Sequence, residues 1–111
     1  HKLREESIKL SDLFINMVEQ TCSDLHLESP IKSSERGSQV SFSHPSGYAI
    51  MQALIDRNIV GDFRAPNIIR FGITPLYINE EDIIQTVKVL KDILSKRLWD
   101  TPAYLNRKKV T

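Results

Sequence analysis

Few residues in this chain of 111 have the type and setting for chemistry. Arg70 is the first. It sits in Ile68-Ile69-Arg70-Phe71-Gly72, an arginine among apolar residues inside a strand-like run, with a glycine two positions on. Alternation puts Ile69, Phe71 and Ile73 on one face and Ile68, Arg70 and Gly72 on the other. That arrangement sets a fixed cation beside open space. The residues alone leave two readings. Arg70 is either a ligand-binding cation or half of a structural ion pair with Asp62 or a helix carboxylate. Asp62 and Arg64, in the preceding strand-like segment, read as an ion pair or as backbone contacts that fix a hairpin. Cys22 is the single cysteine, so it has no internal disulfide partner and no multi-cysteine zinc site. It reads as a small hydrophobe at a helix end rather than a nucleophile. His26 lacks a second metal-ligand candidate at a suitable spacing and reads as a surface or capping residue. His44, at a strand end, has no partner carboxylate in view and reads as structural.

The elements that must position these residues follow from the pattern. Residues 2–22 predict a helix with Leu3, Leu10, Leu13, Phe14, Met17 and Val18 on one face. At roughly 30 Å it is long for so small a domain and suited to bridging toward a neighbour. Residues 23–36 read as a loop, broken at Ser29-Pro30 and Ser33-Ser34. Residues 37–44 alternate as a strand, with Gly37 allowing a turn before it and Val40 and Phe42 facing inward. Ser46 offers a cap for a helix over 48–57, where Met51 is core filler and Asn58 a left-handed stop. Strands over 59–64 and 67–73 flank the turn Ala65-Pro66-Asn67, and so short a turn makes them antiparallel. Asn79 caps a last helix to about residue 98, with Glu80, Glu81 and Asp82 suited to its positive end. Residues 99–111 read as an irregular tail anchored by Trp99 and Tyr104. The expected fold is α+β, a two-layer sandwich. Its three-stranded, mainly antiparallel sheet carries helices on one face and Arg70 on the other.

Composition narrows the class. A net charge of +1 with interspersed signs gives no argument for nucleic acid or a membrane surface, and Arg107-Lys108-Lys109 is too short a basic run to change that. No apolar run is long enough to span a bilayer, and no signal peptide is visible. No metal site is expected. The lone cysteine fits a reducing, cytoplasmic setting. The chain opens on His1 already in helical pattern, which leads us to expect that it is part of a longer protein.

RGSQVSF at 36–42, His44-Pro45, Gly47-Tyr48-Ala49, GDFRAP at 61–66 and RFGITPLY at 70–77 together resemble the C-terminal part of bacterial kynureninases. The opening helix and the tail, with Trp99, Pro102 and Val110-Thr111, resemble it too. The resemblance implies the small domain, residues 1–98, of a pyridoxal 5'-phosphate enzyme of the aspartate-aminotransferase fold group, followed by a C-terminal tail, 99–111. It implies a hydrolase acting on carbon–carbon bonds in ketonic substances, cleaving L-kynurenine to anthranilate and L-alanine in tryptophan catabolism. It implies that Arg70 binds the substrate α-carboxylate, and the reading of the residues themselves adds Asp62, Arg64 and Gly72 as structural support. It places the Schiff-base lysine and every cofactor-binding residue in a missing N-terminal large domain. This chain alone is then expected to bind no cofactor and to be inactive, and the whole enzyme to be a homodimer. The alternatives are an autonomous ligand-binding or dimerisation module, or the small domain of a related desulfurase or transaminase.

Overall fold

A computed structural model describes residues 2–30, 39–75 and 78–106. The expectations that rest on Ser33-Ser34, Gly37 and Arg107-Lys108-Lys109 lie outside them, as do parts of the RGSQVSF and RFGITPLY motifs. The elements run α1 (Lys2–Thr21), β1 (His26–Leu27), β2 (Gln39–Ser43), α2 (Gly47–Asp56), β3 (Asp62–Arg64), β4 (Ile68–Gly72), α3 (Glu80–Ser95) and α4 (Pro102–Leu105).

The sheet is antiparallel throughout, in the order β1-β2-β4-β3. It has four strands where the sequence predicts three. The addition is a two-residue strand within the expected loop, in which His26 pairs with Ser43 and Leu27 with Phe42. Two residues are too few for alternation to reveal, so only the pairing defines β1. The expected strand over 59–64 begins later, at Asp62. Its first residue is used to stop α2: Ile59 N–H donates to the Leu54 carbonyl and Asn58 N–H to that of Ile55. Asn58 is left-handed at φ 65°, so this is a Schellman closure with asparagine at the position that glycine usually takes.

Period-two alternation divides the sheet. Val40, Phe42, Ile69 and Phe71 are buried on the inner face, against α1 and α2. Phe14 of α1 meets Phe42 and Phe71 edge to face, with centroids 5.8 and 5.0 Å apart. Such pairs add to area burial, and each buried ring contributes about 1.5–3 kcal/mol from removal of apolar surface. Ser7 Oγ donates to the Ile73 carbonyl at 3.2 Å, tying the start of α1 to the end of β4. Leu3, expected on the apolar face, is 44% exposed, because the first turn of α1 reaches past the core.

α3 opens with a reciprocal capping box. Asn79 Oδ1 accepts from Asp82 N–H at 3.0 Å and Asp82 Oδ2 from Asn79 N–H at 2.9 Å. Ile83, Val87, Leu90 and Ile93 are its buried stripe. The segment beyond it is more ordered than an irregular tail. Trp99 is in the core at 8% exposure. Pro102–Leu105 forms one helical turn started by a proline, whose fixed φ suits that position. Tyr104 Oη donates to Asp56 Oδ2 of α2 at 2.7 Å.

Candidate functional site

The β3–β4 hairpin carries the candidate site. Its register pairs Arg64 with Ile68, Phe63 with Ile69 and Asp62 with Arg70. Asp62 and Arg70 are therefore direct cross-strand neighbours, close enough for their side chains to meet. They share the outer face with Gln39, Ser41, Ser43, Arg64, Ile68 and Gly72, none of which is buried. Phe63 turns to the inner side, meeting Tyr48 of α2 edge to face at 5.5 Å.

The guanidinium of Arg70 engages Asp62 through two nearly parallel bonds. Nε–H donates to Oδ1 at 2.7 Å and Nη2–H to Oδ2 at 2.6 Å. This is the bidentate geometry that makes arginine selective for carboxylates. The hydrogen bonds from Arg70 hold the Asp62 carboxyl below its ordinary range; burial opposes them, and the charges of Arg70 and Arg64 add smaller pushes downward. Arg70 is shifted upward by the same bonds. So the structure realises the ion pair between Asp62 and Arg70, and Asp62 pairs with Arg70 rather than with Arg64. Arg64 is exposed, and its side chain has no hydrogen-bond or ion-pair partner among the described residues. It acts on Asp62 through space.

Two glycines frame the pair in opposite ways. A Cβ built at Gly72 would meet nothing within 4 Å, so the face beyond Arg70 is open. A Cβ at Gly61 would lie 2.7 Å from the Arg70 carbonyl oxygen and 3.1 Å from Met51 Cε. Gly61 lets the chain enter β3 against the backbone of Arg70. Sequence reasoning missed this role. The signal available was the glycine immediately before Asp62 in a hairpin centred on Pro66.

The other end of the hairpin is held by the corner after β2. His44 N–H donates to the Asn67 carbonyl at 3.1 Å, and a Cβ at Gly47 would stand 2.9 Å from that oxygen. Ser46 occupies the cap position of α2 but makes no side-chain cap bond. Instead its N–H donates to His44 Nδ1 at 2.9 Å. The imidazole meets Trp99 edge to face at 5.8 Å, and Arg97 lies 4.7 Å above the Trp99 ring. Burial pushes His44 below the usual imidazole range, Arg97 adds to that, and Asp24 opposes it. His44 is thus a neutral acceptor holding a corner.

Cys22 is buried, and burial pushes its thiol up, opposite to what a nucleophile needs. His26 is exposed on β1, 3.5 Å from Glu28. Among the described residues no three His, Cys, Asp or Glu side chains are grouped to hold a metal, and no helix is long and apolar enough to cross a membrane. A cleft of about 390 Å³ lies between the ends of β4 and α2 and the start of α3. Gly72 lines it, but Asp62 and Arg70 do not, so it is separate from the charged pair.

The comparisons with known proteins agree with one another. Residues 3–90 match the family described as the kynureninase C-terminal domain. The chain is 47% identical, over 98% of its length, to a protein named kynureninase from Pseudomonas fluorescens. It is 45% identical, over its full length, to proteins of that name from Burkholderia mallei (strain SAVP1) and Burkholderia pseudomallei (strain K96243). It spans 27% of the length of each of these relatives. With its antiparallel sheet, helical layer and outward-facing Arg70, the chain belongs to the kynureninase C-terminal domain family.

Proposed function

We propose that this chain is the C-terminal domain of a kynureninase, a hydrolase that cleaves L-kynurenine to anthranilate and L-alanine, and that Arg70 binds the α-carboxylate of the substrate. The observation that carries the reading is the state of the Arg70 fork. It lies on the uncovered face of the sheet, near the open position at Gly72, and while Asp62 takes its Nε/Nη2 edge, Nη1 has no partner among the described residues. The family membership and the 45–47% identity to proteins named kynureninase support the reaction.

In this proposal the domain closes over an active site built mainly by the rest of a longer, cytoplasmic, homodimeric protein. Pyridoxal 5'-phosphate, bound there, supplies the electron sink for the bond cleavage. In this reading its seat lies outside the described residues. Lys9, Lys88, Lys91 and Lys96 are exposed on α1, on α3 and just beyond it, not on the sheet face that carries Arg70. The part of this chain is positional. Arg70 fixes the carboxylate end of the substrate, so that the reacting end meets the catalytic groups in one orientation. Its proton stays in place at neutral pH, since a guanidinium does not deprotonate in proteins, so Arg70 takes no acid–base step.

The test is Arg70→Lys in the full-length protein. Lysine keeps the charge but loses the planar fork. The expected result is a fall in kcat/KM for L-kynurenine on the order of 10- to 100-fold. Kinetics equal to those of the parent enzyme would remove Arg70 from the site.

A further inference from the structure

A guanidinium has two edges that can each take a carboxylate in paired hydrogen bonds, the Nε/Nη2 side and the Nη1/Nη2 end. Asp62 occupies the first: Nε–H meets Oδ1 and Nη2–H meets Oδ2. Both N–H groups of Nη1 and the second N–H of Nη2 have no partner among the described residues. The Arg70 side chain is 22% exposed and Asp62 54% exposed, so the pair sits at the surface. Asp62 is fixed in turn by the strand register opposite Arg70 and by the close approach at Gly61.

We infer that Asp62 is a positioning residue for the proposed reaction: it holds the Nε/Nη2 edge of Arg70 while the substrate carboxylate docks on the Nη1/Nη2 edge. The inference rests on the carboxylate-binding reading of Arg70. It makes Asp62 a lasting partner rather than a placeholder that must leave when substrate arrives. An arginine side chain has many rotamers, and one held along its side edge presents its end edge in one direction, so less freedom is lost when the ligand binds. Charge is consistent with this division. Within the β3–β4 hairpin two arginines, Arg64 and Arg70, stand against the one carboxylate of Asp62, so the hairpin keeps one uncompensated guanidinium with the internal pair formed.

The experiment uses the full-length protein and two probes, L-alanine and L-alaninamide, as inhibitors of L-kynurenine cleavage. The probes differ in the carboxylate. The variant is Asp62→Asn, close in shape and on an exposed side chain, with folding checked by thermal unfolding. The expected result is a rise in the inhibition constant of L-alanine on the order of tenfold, with that of L-alaninamide unchanged. Equal effects on both probes, or none on either, would make Asp62 merely structural and overturn the inference. Tighter L-alanine binding would make Asp62 a competitor for the fork and also overturn it. Arg70→Ala, run alongside, separates the two levels. If that variant still distinguishes L-alanine from L-alaninamide as the parent does, the carboxylate reading of Arg70 fails first and the role of Asp62 with it.

Discussion

Gly61 is the point where sterics, hairpin and site meet, and it gives the sharpest prediction. Replacing it with alanine puts a Cβ 2.7 Å from the Arg70 carbonyl oxygen, where ordinary contact begins at 3.4 Å. About 0.7 Å must be made up, the difference of those two distances. The second close neighbour, Met51 Cε at 3.1 Å, is the end of a flexible side chain and can move aside. The carbonyl cannot, because it belongs to a central strand of the sheet. So β3 must shift away from β4. Overpacking of this kind costs about 1–3 kcal/mol. Alanine returns about 0.4–1 kcal/mol by restricting the unfolded chain. The net expectation for Gly61→Ala is a loss of about 1–2 kcal/mol.

The control lies in the same hairpin. Gly72→Ala also restricts the unfolded chain, but its Cβ meets nothing within 4 Å. It should be neutral or stabilising by a few tenths of a kcal/mol. Urea unfolding of the two variants beside the parent chain is the assay, and Gly61→Ala alone should lower the midpoint. Displacement of β3 should also stretch the 2.6–2.7 Å bonds between Asp62 and Arg70. In the full-length protein Gly61→Ala should therefore reproduce part of the Asp62→Asn phenotype. Equal stability of Gly61→Ala and Gly72→Ala would refute the reasoning, since it would mean that the strand entry does not depend on that contact.

Two further outcomes test the frame around the site. His44 accepts from Ser46 N–H through Nδ1 and titrates below the ordinary imidazole value of 6.5. The unfolded chain then binds the proton more readily, so this contribution to stability is complete above about pH 6.5 and declines as pH falls through the lower folded value. Urea midpoints measured from pH 8 to pH 5 should drop more steeply for the parent than for His44→Asn, which keeps an acceptor but does not titrate; parallel curves would contradict the assignment. Asn79→Ala removes half of the capping box of α3 and should cost about 1 kcal/mol, and an unchanged unfolding midpoint would count against the cap.

How far the sequence reveals the molecule depends on whether a feature is local. Asn58 as a left-handed stop and Asn79 as a cap were legible because each uses its own neighbours along the chain. The inner faces of β2 and β4 were legible because alternation states them directly. β1 was not, since His26 and Leu27 become a strand only by meeting Ser43 and Phe42. Ser46 was read as a side-chain cap because its residue type suits one. Its Oγ makes no cap bond, while its backbone N–H, a separate group, donates to the His44 imidazole, a contact that only the fold creates. Trp99 is expected to anchor the tail, but the sequence after α3 loses its period and does not say against what. The chain there turns back at Arg97, left-handed at φ 51°, and Trp99 closes against His44.

The site itself was half legible for the same reason. A positive residue among Ile68, Ile69 and Phe71 marks a position that needs a reason, and that much is visible in one dimension. What Arg70 holds is a matter of register. Once the turn is centred on Pro66, positions 64 and 68, 63 and 69, and 62 and 70 must face each other. A turn one residue longer would bring a different residue opposite Arg70 and leave its side edge without this partner. The three residues of Ala65-Pro66-Asn67 therefore do more than reverse the chain. They select Asp62 as the group that aims the arginine, and the corner at His44 and Gly47, bonded to Asn67, holds that selection in place. In this domain the direction of the cation follows from the length of a loop, and substitutions that change the turn should alter carboxylate binding without touching either charged residue.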